Sequence, residues 1–228
     1  MTDLPKAVHR VGGPEPSTPG SPAPGGDLAP ESSTAFYFDL GSPYAYLTAE
    51  RISRLFADAE LAQPEWRPVL LGALFGEFER SSWMVGPERE VGMAEVERRA
   101  ASYGLQPIRW PNPVPANTLY AMRVATYAKS IGRSVSFALA AFRQAFAGGR
   151  DLTDPDNVAI AAAACELHPN AVAKGAGSQS VKRTLRETTE SAASRGVRGV
   201  PTVTVGEEVF WGDDRLEEAV RRARRRRG

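Results

Sequence analysis

Strand-forming sequence is confined to the two ends of this chain, and that limits the folds open to it. Ala35-Phe36-Tyr37-Phe38-Asp39-Leu40 is a short aromatic run that reads as a strand. Gly41 breaks it, and Ser42-Pro43 then opens a helix through about Ala57, serine and proline being a favoured N-cap and N1 pair. Residues 65 to 71, Glu-Trp-Arg-Pro-Val-Leu-Leu, predict a second strand, with Pro68 marking its end or an irregularity. Further strand signal returns only at Gly199-Val200-Pro201-Thr202-Val203-Thr204-Val205, which Gly206-Glu207 turns back into Glu208-Val209-Phe210-Trp211 as a hairpin.

Between the two ends the sequence reads as helical. Residues 87–103 are charged and amphipathic, 117–130 follow a proline-rich link, and 133–147 predict another helix. Pro155 to Leu167 is alanine-rich, and 178–194 predict one helix more. Gly212-Asp213-Asp214 reads as the cap of a last helix. The order strand, helix, strand, helical excursion of roughly a hundred residues, helix, hairpin, helix is a split α/β unit. It has too few strands for a full dinucleotide-binding sheet.

Composition narrows the chemistry. Residues 1–33 hold seven of the 18 prolines with much Gly and Ser, too little apolar surface to offset ordering entropy, so this tail is expected to be disordered. The net charge of +1 gives no global field for nucleic acid. Six arginines in Arg221–Arg227 read as a solvated helix end, where cations suit the macrodipole. The lone cysteine, Cys165, excludes an intrachain disulfide and a CxxC pair, and is expected to be a buried apolar residue. His9 and His168 are the only histidines, which leaves no ground for a histidine triad or a zinc site. No stretch approaches the ~20 apolar residues of a membrane span, so a soluble cytoplasmic protein is expected.

Two places carry chemical potential. The first turn of a helix has unpaired N–H groups and the positive end of the dipole, so an anion, a thiolate included, is stabilised at Ser42. Ser42 either caps the helix alone or also donates its hydroxyl proton to such an anion. Pro201, opening a strand after a glycine-containing loop, suits a cis bond that leaves the Val200 main chain able to pair with an extended peptide, though an ordinary trans proline fits as well.

Taken together, these two sites and the helical excursion resemble the DsbA-like branch of the thioredoxin superfamily. In detail the chain is similar to kappa-class glutathione transferases and 2-hydroxychromene-2-carboxylate isomerases. The resemblance rests on Phe36-Tyr37-Phe38-Asp39-Leu40-Gly41-Ser42-Pro43-Tyr44, Arg67-Pro68-Val69-Leu70-Leu71-Gly72, Ala121-Met122-Arg123, Leu185-Arg186-Glu187-Thr188-Thr189 and Gly212-Asp213-Asp214-Arg215. It implies an α/β thioredoxin core over 34–71 and 176–228, with an all-helical insertion at 72–175 and a cis Pro201.

For function, the resemblance implies a thiol-dependent isomerase, with glutathione or another low-molecular-weight thiol as cofactor, a small-molecule substrate and a homodimer. Ser42 would hydrogen-bond the thiol sulfur, with Tyr44 beside it toward the substrate. Val200, before Pro201, would pair with the cysteinyl unit. Asp214 would meet the γ-glutamyl end, and Arg89 matches a lysine that meets a glutathione carboxylate. Arg80 stands where the family has an asparagine contacting glutathione. Asp213 replaces a serine or asparagine near the γ-glutamyl carboxylate; it either opposes that carboxylate or caps the last helix. Two other activities fit the same residues: a transferase that keeps the thioether, and a thioredoxin-like protein that binds peptides without catalysis. Absence of cysteine near Ser42 argues against an oxidoreductase.

Overall fold

A computed structural model describes residues 34–227, so the expectation for the N-terminal tail lies outside the described residues. Strand β1 (Thr34–Phe38) is buried along its whole length, as an aromatic run with no polar face must be. Helix α1 (Pro43–Asp58) follows, then β2 (Glu65–Pro68) parallel to β1. β3 (Thr202–Val205) lies antiparallel on the other side of β1 and pairs with β4 (Glu208–Trp211). The described sheet has the order β2-β1-β3-β4. Pro68 ends β2 at a sheet edge, where its missing N–H disturbs no central ladder.

The alternation of β1 decides what packs where. Phe36 and Phe38 share one face and meet Trp66 edge-on, with ring centroids 4.9 and 5.7 Å away. Phe38 also reaches Phe142 at 5.9 Å, which docks helix α5 (Ser134–Phe146) on the sheet. Tyr46 of α1 stacks on Phe146, so α5 is gripped by two elements of the core. The sheet and the helical excursion share one continuous hydrophobic core.

Helices α3 (Arg89–Ser102), α4 (Leu119–Ser130), α5 and α8 (Gln179–Ser194) lie where hydrophobic periodicity placed them. Three boundaries differ. The second strand stops at Pro68 rather than 71, because Leu70 and Leu71 turn their N–H groups to Thr189 Oγ1 and Asp39 Oδ2 instead of to the ladder. A short helix, α2 (Leu71–Glu77), starts there. The alanine-rich run ends early, as α6 (Pro155–Ala163), before the left-handed Glu166; α7 (Pro169–Gly177) then begins with His168 Nδ1 accepting the N–H of Asn170.

The last helix differs too. Asp213–Arg215 form a 3-10 turn, and α9 runs from Leu216 to Arg227 with no side-chain cap from Asp213. The arginine run occupies the end of α9, as expected, and Arg227 there donates to the Glu60 carbonyl. No described helix is long and apolar enough to cross a membrane.

Candidate active site

The turn between β1 and α1 is built around a buried carboxylate. Asp39 Oδ1 accepts the Gly41 N–H at 2.9 Å and the Thr118 hydroxyl at 2.8 Å, while Oδ2 accepts the Leu71 N–H at 2.8 Å. Burial pushes the Asp39 carboxyl up, opposed by these donors. The Asp39 carbonyl takes the Ser42 N–H at 3.0 Å. Glycine at position 41 suits this crowding, since a Cβ would come 3.3 Å from Thr118 Cγ2.

Ser42 is thereby fixed as the N-cap of α1, its Oγ accepting the Ala45 N–H at 3.2 Å. Pro43 has no N–H, and the N–H of Tyr44 has no intrahelical acceptor by construction. The hydroxyl proton of Ser42 points to the Val200 carbonyl at 3.4 Å, a long contact that an anion displaces at little cost. The Val200–Pro201 bond is cis, as are Asn112–Pro113 and Val114–Pro115. The capping and donating roles of Ser42 are thus compatible: one lone pair caps, and the proton is lightly held.

A cleft of about 540 Å³ opens over this junction. Ser42, Tyr44, Arg80, Val200, Pro201, Asp213 and Asp214 all line it. Arg89 does not: it is exposed at the start of α3, and the neighbouring Glu88 takes its place on the wall. Arg80 lies over the Trp211 ring at 4.3 Å, and Trp211 closes on the loop because residue 199 is glycine; a Cβ there would sit 3.0 Å from its Nε1.

Asp213 is not the cap of the last helix that the sequence allowed. It is 1% exposed, caps no helix, and its two oxygens are taken by Arg99 Nη1 at 2.8 Å and the Tyr103 hydroxyl at 3.0 Å. Burial pushes its carboxyl up and Arg99 pulls it back. Arg99, 5.6 Å from the Tyr44 ring centre, also pairs with Glu95 at 2.6 Å and stands 3.9 Å from Asp214. Arg99 and Tyr103 are site residues that sequence reasoning missed. Nothing local distinguishes Arg99 from Arg98, whose side chain pairs with Glu95 at the surface.

Residues 34–223 match the family model of the DSBA-like thioredoxin domain. The chain belongs to that family. Among DsbA-like relatives, the 2-hydroxychromene-2-carboxylate isomerase of Sphingobium xenophagum is 29% identical over 185 residues, spanning 80% of this chain and 93% of that protein. The Pseudomonas putida protein of the same name is 27% identical over 189 residues, spanning 79% and 89%. The fold is that of a solved 2-hydroxychromene-2-carboxylate isomerase, with a TM-score of 0.74 at 24% identity over 85% of this chain and 97% of that one. A probable DsbA oxidoreductase from Streptomyces coelicolor aligns with a TM-score of 0.65 at 18% identity, covering 84% and 88%.

Proposed function

We propose that this protein is a thiol-dependent isomerase of the 2-hydroxychromene-2-carboxylate type, using glutathione or another low-molecular-weight thiol. The observation that carries this reading is the Ser42 hydroxyl, held at the N-terminus of α1 and directed at Val200 beside the cis Pro201, on the wall of the cleft. The curated relatives supply the reaction type.

The cleft's donor set fits a zwitterionic thiol. Asp214 is exposed to the cleft and suits an ammonium, while Arg80 is a cation for a carboxylate. Asp213 does not oppose a ligand carboxylate, because Arg99 neutralises it. When bound, the thiol supplies a nucleophile that adds reversibly to the substrate's conjugated double bond, permits rotation about the resulting single bond, and leaves unchanged. Ser42 donates a hydrogen bond to the ionised sulfur, and the α1 dipole adds to that stabilisation. Burial pushes the Tyr44 phenol up, with Arg99 opposing, so Tyr44 stays protonated at neutral pH and flanks the reacting centre as a donor.

Incubation of 2-hydroxychromene-2-carboxylate with the enzyme and glutathione tests the reading. Isomerisation with undiminished free thiol, lost in Ser42→Ala, is expected. Stoichiometric thiol consumption would make the protein a transferase, and no thiol dependence would remove the mechanism.

A further inference from the structure

Glycine is a poor helix former, and α3 carries one in its first turn, Gly92. A Cβ at that position would come 2.4 Å from Trp83 Cε3, 2.5 Å from Cζ3 and 3.0 Å from Cδ2. The six-membered ring of the indole therefore lies on bare helix backbone, closer than any residue with a Cβ permits. Gly72 and Gly76 of α2 differ, since a Cβ at either meets nothing within 4 Å. Gly175 of α7 receives the Tyr127 ring of α4 in the same way, but that pair only packs one helix on another and does not line the cleft.

What sets the Gly92 seat apart is the position of its occupant. Trp83 opens a 3-10 turn, Trp83–Val85, whose backbone is held on both sides. Ser82 Oγ accepts the Met84 N–H at 3.2 Å, and Met84 itself is buried. The indole lines the main cleft and meets the Tyr44 ring at 5.9 Å between centres, with the planes inclined at 63°. Tyr44 stands in the first turn of α1, two residues from Ser42. With the turn fixed, a methyl group at residue 92 displaces the indole, and with it the ring against which Tyr44 rests.

We propose that Gly92 and Trp83 are positioning residues for the reaction: the glycine seats the indole, and the indole holds the Tyr44 ring on the cleft wall beside Ser42. The proposal rests on the isomerase reading for the reaction that Tyr44 serves. Neither residue needs to touch substrate. Gly92 acts only through Trp83, and Trp83 acts through Tyr44.

The test uses the full chain in four forms: wild type, Gly92→Ala, Trp83→Ala and the double variant. Alanine is the better helix former, so Gly92→Ala does not put α3 at risk. Each form is prepared with carbon-labelled tyrosine, and the Tyr44 ring resonance is assigned by its loss in Tyr44→Phe. Gly92→Ala is expected to shift the Tyr44 resonance and to lower kcat for isomerisation of 2-hydroxychromene-2-carboxylate about tenfold, the effect of a small misplacement. Glutathione affinity, measured by calorimetry, should stay at the wild-type value. Trp83→Ala is expected to do the same. The double variant should fall no further than Trp83→Ala, because the seat then has no occupant to displace.

A Tyr44 resonance and a kcat that both stay at wild-type values in Gly92→Ala overturn the seat. A shifted resonance with unchanged kcat overturns the positioning role. A double variant clearly worse than Trp83→Ala overturns the claim that Gly92 acts through the indole. Failure of the underlying reading is separate: the wild type then does not isomerise the substrate, and the Tyr44 resonance in the variants still decides whether Gly92 seats the indole against that ring.

Discussion

At the scale of single residues, one oxygen of Ser42 accepts the Ala45 N–H and, in the proposed mechanism, supplies the proton for a bound thiolate, so its removal has two separable costs. Ser42→Ala should lose about 1 kcal/mol of stability through the cap. It should also lose about 1.5–3 kcal/mol of transition-state stabilisation, a fall of roughly ten- to hundredfold in kcat/KM. Thermal unfolding measures the first, and rates taken well below the transition measure the second. Asp39 makes a pH prediction. Burial raises its carboxyl above the ordinary 3.8, so between that value and the raised one the folded chain holds more proton than the unfolded chain. Stability from this group therefore falls as pH rises through that window. Asp39→Asn should abolish that slope. It should also cost about 1–3 kcal/mol overall, because its amide presents N–H to the Leu71 or Gly41 N–H. Urea titrations of both proteins across acid pH give the difference curve.

At the scale of elements, α5 is the strut between the sheet and the helical excursion. Phe142 is fully buried and touches Phe38 and Tyr46, at 5.9 and 6.3 Å between ring centres. Phe142→Ala should cost about 3–5 kcal/mol in urea unfolding, with the loss carried by the midpoint rather than the slope. Elements of this kind were legible in the sequence because periodicity, proline and serine caps act locally. Ser42–Pro43 caps its helix as read, and the hairpin 208–211 lies where its glycine turn placed it. α2 was not legible: its seven residues include Gly72 and Gly76, and its start is set by Asp39, 32 positions away. α7 hid behind an imidazole cap in place of the usual Ser, Thr, Asp or Asn. The candidate site divided the same way. Ser42 and Pro201 announce themselves by chain chemistry, whereas Arg99 acquires its role from Asp213, 114 residues later in the sequence.

At the scale of the whole molecule, the site joins the β1–α1 turn, the α2–α3 segment and the β3–β4 end of the chain over one core, and each contributes a different chemistry. The first gives a hydroxyl and a helix dipole, the second Arg80 and Arg99, the third the cis-proline edge and two carboxylates. No cysteine lines this cleft. Cys165 is 6% exposed on the far helical segment, and burial pushes its thiol up, away from the reactive thiolate form. The protein should therefore show no catalytic turnover in insulin reduction, and turnover that survives Cys165→Ser would contradict this account of the chemistry. The central claim is that Ser42 holds a thiolate. Its most direct test is the thiolate absorbance of bound glutathione, titrated with pH in wild type and Ser42→Ala. The account predicts that the bound thiol ionises below the ~8.5 of a free cysteine thiol in the wild type, and one to two units higher in the variant. Identical titrations in the two proteins, or no bound glutathione to titrate, would contradict it.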